Sequence, residues 1–213
     1  MSEPTRFNTE VAVHPRLQHI GMTTGNLEPL LAWYETVLGM RPMHTSEDPT
    51  GMRSQGLEVK AVWLSNDEQN HRMAVIEIPG LTLDTQRAGH HRLQHLAFEY
   101  STLDELLGTY VRLKREDILP VLAVDEGLQT AFYYADPDQN IIEININNYN
   151  DPFTAIEHMR SSTDFARKPL GVDVDPELLV AAREAGASAW QVHKRAWDHE
   201  FAPAQPWDPT VLL

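Results

Sequence analysis

The residues best suited to chemistry in this 213-residue chain are two histidines and a glutamate. His19 stands in LQHIGM and His95 in LQHLAF, while Glu143 interrupts the apolar run IIEININ. An unpaired carboxylate is costly in such a run, so Glu143 needs a partner. Two imidazoles and one carboxylate are the donors of a three-ligand divalent metal site that keeps positions open for substrate. A single histidine in a strand is more often a core or surface residue, and a carboxylate there often faces solvent. The equivalence of His19 and His95 in a repeat is what favours ligation. The chain has no cysteine, which excludes disulfides, thiolate ligation and a cysteine nucleophile. A metal is thereby restricted to His, Asp and Glu ligands, a set that suits Fe(II), Mn(II) or Zn(II).

These residues are placed by a duplication. Residues 17–34 (LQHIGMTTGNLEPLLAWY) align without a gap on residues 93–110 (LQHLAFEYSTLDELLGTY). Leu17, Gln18, His19, Leu27, Leu30, Leu31 and Tyr34 are matched by identical residues in the second copy. Repeats of this size mark duplicated supersecondary units. Each copy opens on an alternating stretch that predicts a strand over residues 17–22 or its equivalent. Asn26 or Thr102 follows at an N-cap position, then leucines and a tyrosine at helical spacing. Gly39 suits the first helix's C-terminal stop. Strand-like runs follow near 40–45, 57–64 and 73–78, and near 118–124, 129–134 and 141–147. The fold class is therefore α+β, with two tandem βαβββ modules at residues 12–80 and 90–150 and a linker over 79–91. The C-terminal tail, 151–213, is helical in character. Asp175-Pro176 before ELLVAAREAG predicts a capped helix ending at Gly186, and a second helix is expected over 188–199. The tail is expected to pack on the modules or on a partner subunit.

Composition narrows the function. Hydrophobic residues at 42% and charged residues at 23% match a folded globular chain rather than a disordered one. The formal net charge of −14 disfavours nucleic acid and anionic membranes as partners. No apolar run approaches the roughly 20 residues of a membrane span. MSEPTRFNTEVAV carries no secretory pattern. A cytoplasmic protein is expected.

With LQHIGM, LQHLAF and IIEI on its repeated modules, the chain resembles the vicinal oxygen chelate superfamily, the glyoxalase, bleomycin-resistance and extradiol-dioxygenase fold, over about residues 12–150. FYYADPDQNIIE resembles the signature of type I extradiol catechol dioxygenases, and LSNDEQNHRMAV their short stretch with a catalytic histidine. The resemblance implies a cupped mixed sheet around a metal site, with Fe(II) as cofactor held by His19, His95 and Glu143. It also implies His71 as a proton-handling residue and Tyr133 as a hydrogen-bond donor to the bound catecholate. A small aromatic substrate and O2 would be the reactants, and a homodimer or higher homo-oligomer is common for the fold. Trp63, Phe98 and Phe132 could line a ring pocket, although core packing is the commoner role. Strand and core roles compete likewise at His71 and Tyr133.

Two positions depart from the pattern. Gln139 stands where a glycine is usual in the Asp-Pro turn, and Glu126 in VDEGLQT stands where a histidine is expected. A carboxylate at 126 repels an anionic substrate unless it is protonated or meets a donor. Three outcomes are open: an unusual substrate, a changed reaction with Glu126 as acid or base, or a loop displaced from the site. The functional expectation is an Fe(II)-dependent extradiol ring-cleaving dioxygenase. The competing readings are a metal-dependent isomerase, lyase or hydrolase of the same superfamily, and an aromatic-ligand-binding resistance protein.

Overall fold

A computed structural model describes residues 14–51, 53–56 and 58–212. The N-terminal stretch read for a secretory signal, the start of the first module and the start of the strand expected at Leu57 lie outside them. In chain order the elements are β1 (Ile20–Thr24), α1 (Leu27–Leu38), β2 (Arg41–Ser46), β3 (Lys60–Ser65), β4 (Met73–Glu77), β5 (His95–Tyr100), α2 (Leu103–Lys114), β6 (Leu122–Asp125), β7 (Gln129–Ala135), β8 (Ile141–Asn147), α3 (Pro152–Ser161), α4 (Thr163–Arg167), β9 (Val172–Asp173), α5 (Pro176–Glu184) and α6 (Ala189–Trp197). Among the described residues no helix is long and apolar enough to cross a membrane.

The chain forms an α+β fold with two mixed sheets, and it divides into two compact units. The first unit takes residues up to 27 and 40–80. Its sheet has the order β1-β4-β3-β2, with β1 parallel to β4 and the other pairs antiparallel. The strand expected from residue 17 begins later, at Ile20, whose N–H donates to Arg72 O. Gln18 instead turns its side chain to Asn70 and the His71 carbonyl. The first amide of α1, on Leu27, donates to the Glu77 carboxylate at 3.2 Å and so meets one otherwise orphan helix donor.

The second unit takes residues 28–39 and 81–213. Its sheet repeats the module order as β5-β8-β7-β6 and adds β9 from the tail at the β6 edge. Thr102 is the N-cap of α2, as expected, and it forms a full capping box with Glu105. Alternation divides the faces of this sheet. Phe132, Tyr134, Ile142 and Ile144 are fully buried on one face, where Tyr110 of α2 meets Phe132 edge-on at 6.0 Å. Each fully buried apolar side chain contributes about 1.5–3 kcal/mol there. Gln129, Tyr133, Glu143 and Asn145 share the opposite face, which explains a polar residue at every second position of β8.

The tail follows its expected pattern at α5, where the Asp175 side chain caps Glu177 N and Pro176 takes the first turn. Helix α6 starts on a second capping box, Ser188 with Gln191. Helices α3 and α4 and strand β9 were not anticipated. The last residues cover the Glu143 face at one end, where Trp207 and Leu212 pack against Leu122, Val124, Ala131, Tyr133 and Ile141.

Candidate active site

In the second unit the β5–β8 and β7–β8 pairings bring His95, Glu143 and Tyr133 to one face. Parallel pairing sets Ala97 opposite Glu143, and antiparallel pairing sets Tyr133 opposite Glu143. His95 opens β5, and its Nε2 lies 3.0 Å from Glu143 Oε2. The carboxylate is almost fully buried, whereas the imidazole is about one third exposed. Glu143 Oε1 accepts N–H bonds from Gln129 Nε2 at 2.8 Å and Asn145 Nδ2 at 2.6 Å. These donors fix the rotation of the carboxylate and leave Oε2 turned toward the histidine.

The ring of His95 is set from its other side. The Gln94 side-chain oxygen accepts from His95 Nδ1, and Gln94 Nε2 donates to Leu212 O at 2.9 Å. An Nδ1–H held this way leaves the lone pair on Nε2, the nitrogen that faces Glu143. Two donors 3.0 Å apart match the edge between neighbouring ligands of an octahedral ion with bonds of about 2.1 Å at right angles. The pair fits a hard or borderline divalent cation in both chemistry and spacing.

Tyr133 packs edge-on to His95, with ring centroids 5.8 Å apart. Its hydroxyl donates to Glu126 Oε1 at 2.8 Å, and Gln129 Nε2 donates to Glu126 Oε2 at 2.9 Å. Gln129 thus ties Glu126 to Glu143, and the turn has not carried Glu126 away from these residues. Burial pushes the Glu126 carboxyl above its ordinary range, and the charges of Glu143 and Asp125 add to this against the donors Tyr133 and Gln129. Burial, with Glu126 and Glu143 beside it, pushes the Tyr133 phenol far above its ordinary range, so its proton stays in place at neutral pH.

The remaining expected residues have different surroundings. Phe98 and Phe132 both pair with Ile144 and fall on the helix-covered face, opposite Glu143. Phe132 is fully buried in the core and Phe98 is half-buried, and the pleat turns both away from the Glu143 face on which a ring pocket was expected. His19, His71 and Trp63 belong to the first unit. His19 is exposed just before β1 rather than within it, and its ring centroid is 4.4 Å from that of His71. Gln18 meets His19 Nδ1 as Gln94 meets His95 Nδ1, so the repeated Gln-His pair does the same work in both modules. Trp63 on β3 is half-buried and packs against His44. Among the described residues no group of three or more His, Asp or Glu side chains stands together as a metal cage. Two of the expected ligands meet, and the third, His19, lies in the other unit.

Sequence reasoning missed Gln129, Asn145 and the roles of Gln18 and Gln94. The last two were visible as the glutamine repeated before each histidine. Asn145 was visible as the residue two beyond Glu143 on one strand face. A cavity of about 1010 Å³ opens at the other end of β5 and β8, beside Ser101, Asn147, Tyr149 and Trp190, and none of the candidate site residues lines it.

Two tandem βαβββ modules, with a histidine at or just before the first strand of each and a carboxylate on the last strand of the second, define the glyoxalase-type class of folds. The chain belongs to the glyoxalase/bleomycin resistance protein/dioxygenase superfamily, whose family model matches residues 16–144. It is 30% identical over 199 residues to biphenyl-2,3-diol 1,2-dioxygenase 2 of Rhodococcus globerulus, covering 93% of this chain and 97% of that one. It is also 30% identical over 187 residues to biphenyl-2,3-diol 1,2-dioxygenase 3 of the same organism, covering 88% and 92%. A solved glyoxalase/bleomycin resistance protein/dioxygenase domain from Frankia sp. EAN1pec shares the fold, with a TM-score of 0.52 at 15% identity over 70% of this chain and all of that one.

Proposed function

We propose that this protein is an Fe(II)-dependent extradiol-type dioxygenase that opens a catechol-like ring with O2. The observation that carries the reading is the His95–Glu143 pair at 3.0 Å with Tyr133 beside it. Similarity to two enzymes named as biphenyl-2,3-diol dioxygenases supports it. His95 and Glu143 would hold the ion. His19 would be the third ligand, a role that rests on its equivalence to His95 in the sequence repeat. Mn(II) or Zn(II) suits the same donors, and O2 chemistry selects Fe(II). When bound, Fe(II) supplies Lewis acidity toward both oxygens of a vicinal diol and one-electron reactivity toward O2.

The protein's own residues then divide the remaining work. Gln94 holds the His95 tautomer, and Gln129 with Asn145 orients Glu143. Tyr133 keeps its proton and offers it as a hydrogen bond to a substrate oxygen, exchanging Glu126 for the substrate as acceptor. Glu126 is the acceptor behind Tyr133, and its raised pKa suits it to take and return a proton. His71 would handle protons, an assignment that rests on its sequence context.

The test is oxygen uptake by protein purified without oxygen, reconstituted with Fe(II) and offered a panel of substituted catechols. O2 consumption with a coloured ring-opened product is the expected result. If neither is seen across the panel, the reading fails. The tie between Glu126 and Glu143 favours one second reading, a metal-dependent acid–base enzyme of the same superfamily. Such an enzyme would turn over anaerobically and accept Zn(II) or Mn(II).

A further inference from the structure

The tail converges on one turn, the one that carries Glu126. Asp125, which ends β6, is about 1% exposed. Its carboxylate accepts from Gly127 N at 2.9 Å, Trp197 Nε1 at 2.9 Å, His193 Nδ1 at 2.9 Å and Asn148 Nδ2 at 3.2 Å, with the Thr130 hydroxyl at 3.2 Å. His193 and Trp197 both come from α6. The bond to Gly127 closes the turn around Glu126, and Glu126 N donates to Gln129 O at 2.8 Å. One carboxylate therefore joins a tail helix to the backbone on both sides of Glu126.

The turn is also enclosed sterically. At Gly127, with φ +89°, an added Cβ would stand 2.7 Å from His158 Nε2 and 3.3 Å from the Trp197 ring. On the other side is Gly171, with φ +73°, where an added Cβ would stand 2.0 Å from Asp125 O and 2.5 Å from Glu126 Cα. Beyond Gly171, β9 pairs with β6 through Asp125–Val172 and Val124–Asp173. A tail that served only to cover apolar surface would not need a buried carboxylate with this many donors, whose desolvation is costly.

We propose that the C-terminal tail is a positioning device for Glu126, in which His193 and Trp197 act through Asp125 to aim the Glu126 carboxyl at Tyr133 and Gln129. The device deepens the proposed oxygenase site and rests on that reading for its kinetic consequence only. His193 and Trp197 touch none of the expected reacting groups, so they are positioning residues.

The experiment is a double-mutant cycle of Trp197→Phe with Glu126→Gln on the full chain, read by kcat and KM for catechol cleavage. Trp197→Phe keeps an aromatic ring and removes the indole donor. Positioning predicts roughly a tenfold loss in kcat with little change in KM, and almost no further loss when Glu126 is already Gln. Losses that multiply in the double variant would overturn the proposal. His193→Gln serves as the second variant and should show the same non-additivity. The independent readout is the ¹³C NMR titration of the Glu126 carboxyl, assigned as the signal missing from Glu126→Gln. Trp197→Phe should move that titration toward the ordinary carboxylate range, and an unmoved titration counts against the device. A wild-type chain that cleaves no catechol sinks the oxygenase reading, and the titration then decides the positioning role alone.

Discussion

Replacing Glu126 with Gln should stabilise the metal-free protein, and by an amount that grows with pH. Burial raises the Glu126 carboxyl above its ordinary value of 4.5, so the folded state binds this proton more tightly than the unfolded chain. The stabilisation from that proton is fully present below the unfolded pKa. It is lost as pH rises through the folded pKa, where a buried charge must form beside Glu143 and Asp125. Each unit by which the folded value is raised costs the wild type about 1.4 kcal/mol at neutral pH. Glutamine approximates the protonated side chain: its carbonyl can accept from Gln129, and its N–H can donate to the Tyr133 oxygen. The hydrogen bonds at 2.8 and 2.9 Å therefore keep partners in the variant. Urea unfolding of both proteins at steps between pH 5 and 8 measures the effect. The variant's advantage should widen with pH and level off above the folded pKa. Parallel stability curves, or an advantage that shrinks with pH, would refute the placement of Glu126 in a desolvated, like-charged site.

Gly171→Ala should destabilise the fold by about 2 kcal/mol or more in the same unfolding assay, because the new Cβ meets Asp125 O at 2.0 Å in left-handed backbone. A neutral substitution would show that the tail does not press on the turn. Glu126→His restores the residue expected from the extradiol signature and should raise cleavage of simple catechols in oxygen-electrode assays, whereas unchanged kinetics would place Glu126 outside the chemistry. Gln94→Leu removes the acceptor on His95 Nδ1 and should weaken divalent metal binding roughly tenfold by competition titration. Equal affinity would mean that the histidine tautomer is set elsewhere.

Much of this fold was legible in the sequence because duplication displays each element twice. The LQH repeat and the leucine spacing placed α1 and α2, Asn26 and Thr102 marked where they start, Gly39, which adopts φ +66°, marked the end of α1, and β8 was read to its ends. Boundaries failed where side chains replaced the ladder, as at Gln18 before β1. The pairing of Glu143 with His95 was inferable from the cost of burying a carboxylate in IIEININ. The face of Phe98 and Phe132 was not, because an aromatic type signals burial but pairing register decides the side. The network behind Asp125 joins residues up to 72 positions apart, Trp197 and Asp125 among them, and no local pattern encodes it.

The central claim is that His95 and Glu143, with His19, hold a divalent iron. Metal content of protein purified without oxygen tests it most directly, for the wild type beside His95→Ala, Glu143→Ala and His19→Ala. The wild type should carry about one iron per chain, and each variant should lose it while keeping its circular dichroism spectrum. Folded variants that retain iron at the wild-type level would contradict the account.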